Sequence, residues 1–174
     1  VIGLLAAGGT LTAIPTPGNH ESISAVQPTV TARTMSFTFS PPEVTGTNGY
    51  CTVSIAEAAS SIRNSGAPIL PQRSEVIHLP AGTIITDVTV TAGDIHSRQL
   101  PSHVQPGLEP APIGQETTPQ RVEGPVYHGR DAYPSQWLDW HTGVGLHDGE
   151  RVTFLSLQVF PARYTPASQE LQYV

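Results

Sequence analysis

The chain has 174 residues, of which 13% are charged, and a formal net charge of −6. Its eight basic residues are all arginine and form no cluster, which argues against a nucleic-acid partner, because phosphates need concentrated positive charge. The lack of lysine excludes Schiff-base chemistry, a lysine base and isopeptide crosslinks, and the lone Cys51 excludes an internal disulfide.

The first fourteen residues, Val1 to Ile14, form an apolar arm without a charge. Gly3, Gly8 and Gly9 weaken a helix there, so the arm reads as extended, and it is too short for a membrane span, which takes about 20 apolar residues. Its large side chains, Val1, Ile2, Leu4, Leu5, Leu11 and Ile14, need burial, and its backbone needs partners. The alternative is a signal remnant, with Thr10-Leu11-Thr12-Ala13 as a small-residue cleavage site. Residues 15–19, Pro-Thr-Pro-Gly-Asn, are a hinge.

Residues 20–174 read as one all-β domain. Sixteen glycines and seventeen prolines punctuate short runs rich in Val, Ile and Thr, the profile of a two-sheet β-sandwich of jelly-roll or Ig-like type. Ile23 to Thr31 is a first strand, and Met35, Phe37 and Phe39 alternate with polar residues on a second. Tyr50 to Ile55 follows a turn at residues 45–49 and places Cys51 on an apolar face as a small core residue. Ala56 to Asn64 suits one helical turn. Strands are predicted again at Val76 to Leu79 and Ile84 to Thr91, joined at Pro80-Ala81-Gly82. Periodicity then vanishes over residues 94–132, a loop long enough to be functional. Trp137 to His141, a turn around Gly143, Gly145 and His147-Asp148-Gly149, and a strand from Arg151 to Phe160 lead to a last strand carrying Leu171 and Tyr173.

Four stretches resemble the prodomain of gingipain-type (family C25) cysteine peptidases. They are Phe37-Thr38-Phe39-Ser40-Pro41-Pro42-Glu43-Val44; Gly66-Ala67-Pro68-Ile69-Leu70-Pro71; Ile77-His78-Leu79-Pro80-Ala81-Gly82 with Val88 and Val90; and Tyr133-Pro134-Ser135-Gln136-Trp137 through Val152-Thr153-Phe154-Leu155 to Val159-Phe160-Pro161-Ala162-Arg163-Tyr164. They cover most of residues 35–174, not the arm, and do not include the peptidase itself. The resemblance implies a secreted β-sandwich that keeps a peptidase inactive, with a basic residue delivered by a loop into the enzyme's cleft. Arg98, Arg121 and Arg130, in or near the long loop, are the candidates for that residue by location.

Nothing in the residues points to an enzyme. Cys51 sits mid-strand without a base beside it. Asp139, His141, His147, Asp148 and Glu150 match no metal-site spacing and read as a polar hairpin rim; Trp137 and Trp140 read as core plugs in preference to a sugar platform. No cofactor and no metal are expected. The arm therefore predicts a structural role: an extracellular or cell-surface subunit that builds a non-covalent homopolymer, a pilus-like filament, by lending its arm to the next molecule as a donor strand. The alternative, which the resemblance implies, is a secreted prodomain that inhibits or chaperones a gingipain-type cysteine peptidase.

Overall fold

In the computed structural model, residues 2–10, 30–47, 49–110, 114 and 120–174 are described, residues 2–10 and 47 by their backbone alone. The described residues form twelve strands: β1 (Ile2–Thr10), β2 (Thr31–Phe37), β3 (Glu43–Thr47), β4 (Tyr50–Ser54), β5 (Ser60–Ile62), β6 (Leu70–Pro80), β7 (Thr83–Ala92), β8 (His96–Gln99), β9 (Leu138–His147), β10 (Glu150–Val159), β11 (Ala162–Thr165) and β12 (Glu170–Tyr173). They form an all-β fold with a four-stranded sheet β5-β6-β10-β9, three-stranded sheets β2-β1-β7 and β11-β12-β8, and the hairpin β3-β4. Every strand pairing is antiparallel.

Consecutive strands β6 and β7 lie in different sheets. The switch occurs at Pro80-Ala81-Gly82-Thr83, where Gly82 adopts φ +82 and the Thr83 hydroxyl donates to the Pro80 carbonyl at 2.7 Å. Proline ends the first ladder by withholding an N–H, and glycine makes the left-handed turn possible. Alternation along β10 sends Thr153, Leu155, Leu157 and Val159 inward. There they join Phe37, Phe39, Cys51, Leu70, Val104, Tyr164 and Leu171 in one core. Trp137 is buried and Trp140 half-buried against that core, so both pack as plugs.

Residues 2–10 of the arm form strand β1, and both partners of that strand belong to its own chain. Gly3 lies between Ser36 of β2 and Thr91 of β7. The donor-strand expectation required acceptor edges on a neighbouring molecule; here β2 and β7 supply both edges in cis, and β1 completes the sheet. Ile2, Leu4 and Leu5 lie on that strand, whereas Val1, Leu11, Ile14, the hinge at residues 15–19 and most of the strand expected at Ile23 to Thr31 fall outside the described residues.

Two local expectations are corrected. Instead of a helical turn over residues 56–64, the chain turns at Ala56–Glu57 and forms β5 against β6, with Ile62 opposite Leu70. The Glu57 carboxylate accepts from the amide and hydroxyl of Ser40 at 2.9 and 2.6 Å, which fixes that turn and holds its pKa below the usual range. Nor does the chain turn at Gly143 and Gly145. Strand β9 runs through both because the Phe154 ring fills the space above Gly145, where a Cβ would stand 2.6 Å from it. The reversal comes only at Asp148-Gly149, both at positive φ (50 and 82), the geometry of a two-residue hairpin.

Candidate functional site

The described parts of the long loop are tied down. The loop begins with β8, which pairs with β12, and residues 100–110 and 120–136 form a strap tied to the sandwich. Cys51 donates its N–H to His103 O at 2.7 Å and accepts from Gln105 N–H at 2.8 Å. Ile69 donates to Gln105 O, Gly107 to Ala67 O, and Gly124 to Gly66 O, at 2.8–2.9 Å. Side chains add to this. The Tyr127 hydroxyl donates to Val104 O, and His103 Nδ1 lies 2.8 Å from Glu123 Oε1. Between these ties Leu108 pairs with Arg121 and Glu109 N–H donates to Gln120 O, which together form a short stem.

Close approach of backbones explains the glycines. A Cβ on Gly107 would lie 2.2 Å from Asn64 O, and one on Gly124 would lie 2.9 Å from Gly66 O. Gly66 itself has φ +67, in the left-handed region that favours glycine. The motif Gly66-Ala67-Pro68 thus provides a flat landing for the strap.

Where the strap returns toward β9, it borders a cleft of about 720 Å³. Ser61, Arg63 and Asn64 line one side, Gln72, Asp139 and Gln158 of the four-stranded sheet also line it, and the segment from Val126 to Gln136 contributes most of the remainder. Tyr133 anchors that segment. Its backbone exchanges hydrogen bonds with Tyr164 at 2.7 and 2.8 Å, its peptide bond to Pro134 is cis, and its hydroxyl accepts from Asn64 Nδ2 at 3.0 Å. Burial raises the Tyr133 pKa, only partly offset by Asn64. Arg163 supports the same segment, donating to Pro134 O at 3.1 Å while its guanidinium lies 5.0 Å from the centre of the Trp137 ring.

The three candidate arginines are held differently. Arg98 is exposed on β8, opposite Leu171. Arg121 donates to Pro106 O at 2.9 Å, so its guanidinium braces that stem. Arg130 is exposed beside the cleft: its chain neighbours Gly129 and Asp131 line it, and among the described residues Arg130 has no hydrogen-bond or ion-pair partner. Arg63, on the opposite side, was not among the sequence candidates. It follows β5, a strand read from sequence as part of a helical turn, so its position on a rim carried no periodic signal.

Other chemistry is not assembled. Among the described residues no three His, Cys, Asp or Glu side chains converge as a metal set. Asp139 accepts from the amide of Trp140, and His147 stacks on His78 at 3.7 Å with Asp148 3.4 Å away. The Cys51 thiol is buried, 3.2 Å from the Ser102 hydroxyl. Among the described residues no helix is long and apolar enough to cross a membrane.

No protein-family model matches this chain, and no curated protein matches it in sequence. Solved structures do. A chain from the structure on zymogenic latency of gingipain K from Porphyromonas gingivalis is similar with a TM-score of 0.60 at 20% identity, over 97% of this chain and 92% of that one. The chain has a gingipain-prodomain fold. A chain from the complex of the pro- and mature domains of RgpB, from the same organism, matches with a TM-score of 0.54 at 15% identity, over 79% and 72% of the two chains. At these identities the likeness establishes the shared fold.

Proposed function

We propose that this domain is a secreted, non-catalytic prodomain that binds a cysteine peptidase of the gingipain kind and holds it latent. The observation that carries this reading is the fold shared with the gingipain K chain along nearly the whole length. The strap fits the role. It is a long segment tied to a rigid sandwich at several points, so a partner meets a preorganised surface and little ordering entropy opposes binding. We assign the role of the inserted basic side chain to Arg130, which is exposed and unengaged at the cleft rim, ahead of Arg98 on its sheet and Arg121 bonded to Pro106.

The filament reading loses its main support, because residues 2–10 of the apolar arm that motivated it pair with β2 and β7. The test is inhibition of a gingipain-type peptidase by the purified domain. Wild type inhibits stoichiometrically and Arg130→Ala weakens inhibition about 30-fold or more, as expected for a buried arginine anchor; an inert wild-type domain overturns the proposal.

A further inference from the structure

Strand β9 closes one end of the four-stranded sheet, and among the described residues no strand pairs with its outer side. Which groups face that side follows from the ladder. Phe160 N–H donates to Trp137 O at 2.9 Å, continuing the register in which Val159 faces Leu138. Odd-numbered residues of β9 therefore turn their N–H and C=O toward β10, and Thr142, Val144 and Leu146 turn theirs outward.

Exposed edges normally carry lysine, proline or an inward charge that blocks pairing with another chain. The stretch Thr142-Gly143-Val144-Gly145-Leu146 carries none of these. Val144 is 84% and Leu146 68% exposed, on the same face of the strand, so an apolar pair stands in solvent beside an open row of hydrogen-bonding groups.

We propose that β9 pairs edge to edge, antiparallel, with β9 of a second copy of this chain, about a two-fold axis at Gly145. The edge is complementary to itself in that register. Val144 meets Leu146 of the second copy and Leu146 meets Val144, while Gly143 faces His147 and Thr142 faces Asp148, so no like charges oppose. Shifting the axis to Val144 sets His141 against His147 and Leu146 against Thr142, losing both advantages. Shifting it by half that step turns outward groups against inward ones. About five residues from each strand make an interface well below the ~1,200 Å² of standard complexes, so the dimer is weak and reversible.

This inference does not depend on the peptidase. The full chain is run by sedimentation velocity at rising concentration, alongside Val144→Lys, with thermal melting confirming that the variant folds. Wild type shifts from monomer to dimer, and Val144→Lys weakens association about tenfold or more. An equimolar mixture of Val144→Cys and Leu146→Cys chains crosslinks on oxidation, and Val144→Cys alone does not. The proposal is overturned if wild type stays monomeric at all concentrations, including the case in which Val144→Lys weakens only peptidase binding. Unchanged dimerisation of Val144→Lys, or equal crosslinking of Val144→Cys alone, overturns it too.

Discussion

The amide of Gly124 donates to the carbonyl of Gly66 at 2.8 Å, and neither residue has room for a side chain: the nearest atom of the other would lie 2.9–3.1 Å from an added Cβ. That contact joins the strap to the sandwich ahead of the cleft. Gly124→Ala is expected to push the two backbones apart and to lower affinity for the peptidase by about tenfold or more, while the core melts within a few degrees of wild type. Equal affinity of the two proteins would show that the strap does not present the binding surface.

Arg121 and Arg130 should separate stability from binding. Arg121→Ala removes the donor to Pro106 O and costs about 0.5–1.5 kcal/mol, visible as faster amide exchange at the stem between Leu108 and Arg121. Arg130→Ala leaves exchange and melting unchanged. If both variants lose stability alike, Arg130 is a structural residue and its assignment fails.

Two tyrosines make the fold sensitive to alkali. Burial pushes the Tyr164 phenol up to about 12, and Cys51 and the carboxylate of Glu123 add to the effect. Burial also raises Tyr127, beside Glu123. A phenol that ionises at about 10 when unfolded and higher when folded contributes fully below pH 10. Its contribution is then lost as pH rises through 12, by at most about 1.4 kcal/mol per unit for each group. Denaturant unfolding between pH 8 and pH 11.5 measures this.

Tyr164 and Tyr127 should respond oppositely to removal of the hydroxyl. The Tyr164 hydroxyl is buried without a hydrogen-bond partner among the described residues, so Tyr164→Phe is neutral or stabilising by up to about 1 kcal/mol and flattens the alkaline decline. Tyr127→Phe strands the Val104 carbonyl and costs about 1–3 kcal/mol. Equal losses for the two variants would mean that Tyr164 has a partner.

Strand β1 sits between two other strands, so its deletion exposes both edges. Removing Val1–Thr10 should lower the melting temperature by about 10 °C or more and leave a chain prone to pair through β2 and β7. A truncated protein with wild-type melting and no association would mean that β1 is dispensable to the sheet.

The fold was legible where one face of a strand is wet. Met35 to Phe39, Tyr50 to Ser54 and Glu150 to Val159 alternate cleanly, and the Asp148-Gly149 turn follows from its dipeptide. Two kinds of feature were not legible. Gly143 and Gly145 read as turn residues because the partner of Gly145, the Phe154 ring, is supplied by the next strand. The destination of the arm was hidden for the same reason: an apolar strand announces that it needs two edges, not which chain owns them. The cleft was legible only in fragments. Tyr133-Pro134 and Gly66-Ala67-Pro68 stood out as motifs, but the strap joins them through backbone hydrogen bonds, which leave little trace in side-chain pattern. Arg63 and Asn64 reach the rim through the register of β5 with β6, a pairing distant in sequence from the strap.

Calorimetric titration of the domain into a gingipain-type peptidase, with its catalytic cleft free or covalently blocked, tests the central claim most directly. The account predicts one-to-one binding to the free enzyme and loss of that binding when the cleft is blocked. Failure to bind the free enzyme, or equal binding to the blocked one, would contradict it.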